Sequence, residues 1–189
     1  MTDDVADVLR TKSLELIDAD GTVRAALDVT SSGSAGLVFF DASGAPRAGL
    51  GMNPDGVPGL SMVDRSGHAV LELALADGDR PDLAMAANDG EWGISLAVTS
   101  TGRPQLSIGD STREHGVTVG FNEEGVPGLQ VRSGPWAVML TVADNGTAGL
   151  SVSARGDGPL VVLALSPEGD GGPSACVLRG DGRVVWSAS

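Results

Sequence analysis

Asp18, Asp20 and Gly21, with Asp28 nearby, resemble the opening of a calcium-binding loop. Calcium takes about six to eight oxygen ligands, and a helix–loop–helix site carries them on to a glutamate at the loop's twelfth position. Here a strand-like run reaching Thr30 stands in that place, so a capped turn accounts for the aspartates and no metal is expected. A second set of reactive types surrounds His68, flanked by Asp64 and Ser66. A hydrolase needs a nucleophile, a base and a carboxylate to orient it. Asp64, however, repeats Asp18 and Asp41 as a turn residue. His68 and His115 are the only histidines and occupy corresponding turns two units apart, with Cys176 far off in sequence. Zinc-ligand spacing is therefore lacking. The expectation is no enzyme, no catalytic residue, no metal and no cofactor.

The elements carrying these residues are set by a repeat. Leu14, Leu37, Leu60, Leu83, Leu106 and Leu129 fall in one register of 23 residues, and Ala25, Ala48, Leu71, Ile94 and Val117 keep the same step. A period of that size marks one small unit used repeatedly. Within the first unit Leu14 and Leu16, then Ala25, Leu27 and Val29, alternate with other residues, as in strands with one apolar face. Each unit reads as a β-hairpin. Leu16 is expected opposite Ala25, and Val29 opposite Leu37 across a longer connection, one even and one odd loop producing the odd period.

Asp18/Gly21, Asp41/Gly44 and Asp64/Gly67 suit type I turns followed by a left-handed glycine. Pro58, Pro81, Pro104 and Pro127 precede the next leucine, where proline opens a strand without costing an interior ladder bond. The turn at Ser133-Gly134-Pro135-Trp136 is two residues short, so the series resumes at Val138, Leu140 and Val142. A two-residue insertion near Gly169-Asp170-Gly171-Gly172 precedes Ala175, Val177 and Gly182. The sum is eight units and about sixteen strands, residues 11–189 forming a single β-repeat domain after an N-terminal cap at 1–10, partly helical through Val5–Leu9.

The frame Leu14-x-Leu16-x-Asp18-x-x-Gly21-x-x-Arg24-Ala25-x-Leu27, with its neighbour from Leu37 to Leu50, resembles repeats of uncharacterised prokaryotic tandem β-hairpin proteins and of phage tail-fibre segments. The ending Asp181-Gly182-Arg183-Val184-Val185-Trp186-Ser187-Ala188 is similar to the closing segment of those bacterial proteins. The resemblance implies a repetitive, oligomeric β structure and transfers no catalytic residue.

A propeller would pair units into 46-residue blades, and a closed sixteen-stranded barrel would leave its leucines lining a wet lumen. These are the alternatives to an antiparallel meander whose apolar face meets other copies in an oligomeric β-prism or fibre-like assembly, most simply a trimer. The opposite face carries small residues, among them Ala26, Gly49, Gly51, Ser61, Ser95, Ser107 and Gly120.

Net charge of -13 opposes nucleic acid as a partner, and no run of about 20 apolar residues supports a membrane helix. One cysteine and the opening Met1-Thr2-Asp3-Asp4 point to a cytoplasmic protein, with a phage virion component as the alternative. The expected function is a non-enzymatic structural or scaffold protein that self-associates through its repeat face. The alternative is a glycan- or protein-binding module with Phe40 and Trp92 as contact residues. Trp136 and Trp186, where the repeat is interrupted or ends, are expected to plug open edges of the core.

Overall fold

The computed structural model describes residues 8–76, 79–87, 89–122, 124–142, 148–154, 159–165, 174–178 and 183–188. Most of the N-terminal cap, Gly182 and the insertion near Gly169 lie outside these. Val8, Leu9 and Arg10 are irregular and exposed.

The chain divides into two compact units, Met1–Asp79 and Arg80–Ser189. The first contains β1 (Ser13–Ile17), β2 (Val23–Val29), β3 (Ala35–Phe40), β4 (Pro46–Met52), β5 (Pro58–Val63) and β6 (Ala69–Ala76). The second contains β7 (Arg80–Ala86), β8 (Trp92–Val98), β9 (Pro104–Asp110), β10 (His115–Phe121), β11 (Pro127–Ser133), β12 (Trp136–Val142), β13 (Ala148–Ala154), β14 (Pro159–Leu165), β15 (Ser174–Leu178) and β16 (Val184–Ala188). In each unit every strand pairs antiparallel with its chain neighbours, so both are meanders of hairpins. Within its unit β1 pairs only with β2, and β16 only with β15. Neither unit closes into a barrel.

In the first unit one turn design serves both kinds of connection. At Asp18–Thr22 the Gly21 N–H donates to the Asp18 carbonyl at 3.0 Å and the Asp18 N–H to the Thr22 carbonyl at 2.9 Å. At Thr30–Ser34 the Gly33 N–H reaches the Thr30 carbonyl at 3.0 Å and the Thr30 N–H the Ser34 carbonyl at 2.8 Å. Each is a type I turn with a left-handed glycine after it, Gly21 at φ 81° and Gly33 at φ 92°. The pairing expected across the longer connection is therefore corrected, although its residue count stays odd. Val29 faces Ala35 rather than Leu37, and Leu37 faces Leu27.

In the first unit the odd period comes from a bulge that itself repeats. Leu16 faces Ala25 while Ile17 faces Val23, leaving Arg24 as the extra residue. The same shift leaves Arg47 extra between Phe39/Ala48 and Phe40/Pro46, and Val70 extra between Met62/Leu71 and Val63/Ala69. One inserted residue reverses the alternation of side chains, and this reversal keeps the leucines together despite the odd step. In the second unit, by contrast, Ala86/Gly93 and Gly109/Gly116 enclose even connections without a bulge and Val98/Pro104 an odd one, the loop parity expected from the sequence. The short connection is as expected: Ser133 pairs with Trp136 around Gly134 at φ 56° and Pro135. Glycine at the first central position with φ > 0 defines a type II′ hairpin turn.

Registers convert the sequence period into rows across the sheet. In the first unit Leu14, Leu27, Leu37, Leu50, Leu60 and Leu73 are successive cross-strand partners. In the second the row is Leu83, Leu96, Leu106, Val119, Leu129, Leu140, Leu150, Leu163 and Ala175. Despite this order there is almost no interior. Within each unit the described strands touch only their ladder neighbours, and Ala25 at 3% exposure and Ala26 at 9% are the buried apolar residues among those described.

Candidate interaction faces

The leucine face is built by alternation. Beside the leucine row runs a second one, Leu16, Ala25, Phe39, Ala48, Met62 and Leu71 in the first unit. Its counterpart in the second unit is Met85, Ile94, Ile108, Val117, Val131, Val138, Val152 and Val161. No charged residue stands in these rows. Within each unit much of this surface lies open, the buried Ala25 apart: Leu14, Leu27 and Leu50 are exposed in the first, as are Leu96, Leu140 and Leu163 in the second, and the leucines between them are half-buried.

Trp92 lies in phase with Ile94 and Leu96, hence on this face, and is 52% exposed. Phe40 is half-buried opposite Pro46 beside the bulge, in phase with Val38 on the small-residue face. The two candidate contact residues therefore belong to different units and to opposite faces of their strands. Trp136, two residues before Val138, and Trp186, opposite Val177, also belong to the leucine face and are exposed, so neither plugs a core edge. Phe39 and Phe121 join them. Of these leucine-face aromatics only Trp92 was expected as a contact residue, although counting in twos from Val138 and Val119 reaches Trp136 and Phe121.

The small-residue face behaves differently in the first unit. Gly36, Gly49, Gly51 and Gly59 line a shallow depression of about 360 Å³, with Asp28 and Glu72 among its walls. Gly36 and Gly51 are cross-strand partners. A Cβ on Gly36 would sit 2.8 Å from the Leu50 carbonyl oxygen, and one on Gly51 would collide with that of Ala35. The neighbouring strand's own backbone is what approaches this face.

The reactive types singled out in sequence are occupied by turn geometry. Asp18 Oδ1 accepts from the Asp20 and Thr22 N–H groups, both at 3.0 Å, and Oδ2 lies 3.4 Å from Arg24 Nη1. These bonds, led by that from Thr22, hold the Asp18 carboxyl below its ordinary value. Asp41 is lowered chiefly by the Ser43 hydroxyl, 2.6 Å away, and then by the Ser43 N–H. At Asp64 desolvation pushes upward but is outweighed by the His68 and Ser66 N–H groups. His68 Nδ1 lies 3.8 Å from Asp64 Oδ2, whereas Ser66 donates its N–H to Asp64. His115 Nδ1 meets Ser133 Oγ at 3.1 Å, while Asp110 takes the backbone N–H of His115. Asp110 thus fills an Asx-type turn role in this arrangement. The Cys176 side chain lies outside what the structure describes. Among the described residues no group of three or more His, Cys, Asp or Glu could hold a metal ion, and no helix is long and apolar enough to cross a membrane.

The chain matches no protein-family model and no curated protein.

Proposed function

We propose that the protein is a non-enzymatic structural or scaffold protein that self-associates through its leucine face, in a homo-oligomer such as a trimer. The observation that carries this reading is the exposure, within each unit, of an uncharged row of leucines in cross-strand register. Exposed apolar patches beyond a few hundred Å² mark interaction surfaces. From strand spacing and rise, six strands present roughly 500 Å² and ten roughly 1000 Å² on one face. A stable interface takes about 800 Å² from each partner. A second copy offers the same periodic leucine row as the match, and burial of one residue of this size contributes about 1.5–3 kcal/mol. The cytoplasm, or a virion, is the setting proposed for such an assembly, with neither nucleic acid nor membrane as partner.

Sedimentation at micromolar concentration tests the reading. Oligomers that dissociate on dilution are expected, and a stable monomer would overturn it. Tryptophan emission adds a second readout, because Trp92, Trp136 and Trp186 share the leucine face and should shift to the blue on association.

The exposure of Trp92 favours a second reading, a glycan- or protein-binding module using an open aromatic platform. Binding in a glycan screen that Trp92→Ala abolishes, from a protein that stays monomeric, would select it.

A further inference from the structure

We infer that the free edge of β1 pairs with β1 of a second copy, antiparallel and centred on Glu15. This contact is separate from the leucine-face association and does not rest on it. All five β1 residues are exposed, and among the described residues β2 is the strand's only partner. The Asp18 N–H is spent on Thr22 across the hairpin. By alternation Leu14 and Leu16 also turn their backbone groups toward β2, while those of Ser13, Glu15 and Ile17 point outward. At Ser13 the outer side is tied off by Thr11, whose hydroxyl donates to the Ser13 carbonyl at 2.7 Å and accepts its N–H at 3.4 Å. Among the described residues nothing equivalent covers Glu15 and Ile17. Such a row is a template for another strand, and β1 contains no proline to blunt it.

Charge and pattern select a second copy of β1 as the occupant. With Glu15 on the two-fold axis, Leu14 faces Leu16 of the second copy, Ser13 faces Ile17 and Lys12 faces Asp18. This register keeps both leucines on the leucine face, so the row runs across the junction; a slip of one residue would turn them over. It also sets Arg10 and Lys12, two of only twelve basic residues, against the acidic turn at Asp18 and Asp20. The outward groups of Ser13, Glu15 and Ile17 then meet each other, displacing the Thr11 hydroxyl. The pairing is isologous and closes at two chains. Its cost is the like-charged pair at Glu15, which opposes it modestly.

Disulfide trapping in the full chain, in a Cys176→Ser background, tests the contact. Glu15→Cys should cross-link to itself on mild oxidation, because a residue on the axis meets its own copy at about 5.5 Å between Cα atoms. Ser13→Cys alone should remain uncross-linked, yet join Ile17→Cys when the two proteins are mixed. Glu15→Gln should tighten association by up to about fivefold. Failure of Glu15→Cys to cross-link, in protein whose circular dichroism matches the parent, would overturn the proposal, as would equal self-cross-linking by Ser13→Cys. Glu15 lies on the face opposite the leucines, so an oligomer joined only through the leucine face gives no Glu15→Cys product, and the two contacts fail separately.

Discussion

Arg103 ties its own turn to the next one along the same edge of the sheet: its Nη1 donates to the main-chain carbonyl of Asn122 at 2.6 Å. The guanidinium also fills the space beside Gly125, where an added Cβ would come within 2.9 Å of Nη1. Arg103→Ala is expected to destabilise the protein by about 1–2 kcal/mol, the usual contribution of a hydrogen bond from a charged donor. Gly125→Ala should be comparably damaging, because its φ of 94° is strained for any side chain. Thermal unfolding of both variants checks the pair, and an unchanged midpoint for Arg103→Ala would show the bond contributes nothing.

The glycines on the small-residue face should separate into two classes. Gly51→Ala places a methyl against the Ala35 carbonyl and is expected to cost about 1–3 kcal/mol through forced strand displacement. At Gly49 the nearest atom to an added Cβ is Ser61 Oγ at 3.7 Å. Gly49→Ala should therefore be neutral or stabilising by up to about 1 kcal/mol. Equal effects in urea unfolding would contradict the proximity argument.

Acid should loosen the turns. Asp18, Asp41, Asp64 and Asp110 have carboxyls held below the ordinary value of 3.8 by bonds that only the folded chain makes. A group whose folded value is depressed contributes stability that is present above the unfolded value and lost as pH falls through the folded one. The midpoint of unfolding should thus be level near neutrality and decline below about pH 4. Asp41→Asn keeps an acceptor in place, as Asn53 and Asn122 do in their own turns. It should flatten part of that decline, and an unaltered acid limb would exclude Asp41 as a contributor.

Leu50, 56% exposed in the centre of its row, separates folding from association. Leu50→Glu should change monomer stability by no more than about 0.5 kcal/mol. In the proposed oligomer it would bury an unpaired carboxylate and weaken association at least about tenfold, or 1.4 kcal/mol. Sedimentation of the variant and its parent across a dilution series provides the comparison.

Much of the architecture was legible because it is local. Leucines 23 residues apart, aspartate and glycine at fixed offsets, and prolines at strand starts describe hairpins that each close within one unit. The sixteen strands and the shortened turn at Gly134-Pro135 follow from that reading. Arg24, Arg47 and Val70 show where it stopped. Nothing in their side chains distinguishes a bulged residue from a paired one, because a bulge is a relation between two strands, so the loop parity that holds at β7–β8 and β9–β10 was expected at these first-unit hairpins too.

The aromatic residues mark the same boundary. Phase along a strand would have put Trp92 with Ile94, and counting from Val138 would have put Trp136 beside it. Their exposure could not be counted out, since burial depends on which strands meet. The sequence by itself determined the repeat, its turns and the grouping of leucines on one face, all products of short-range backbone chemistry. Only the tertiary structure decided that, within each unit, strands meet ladder neighbours alone and leave that face open, because burial is a property of what lies across the sheet.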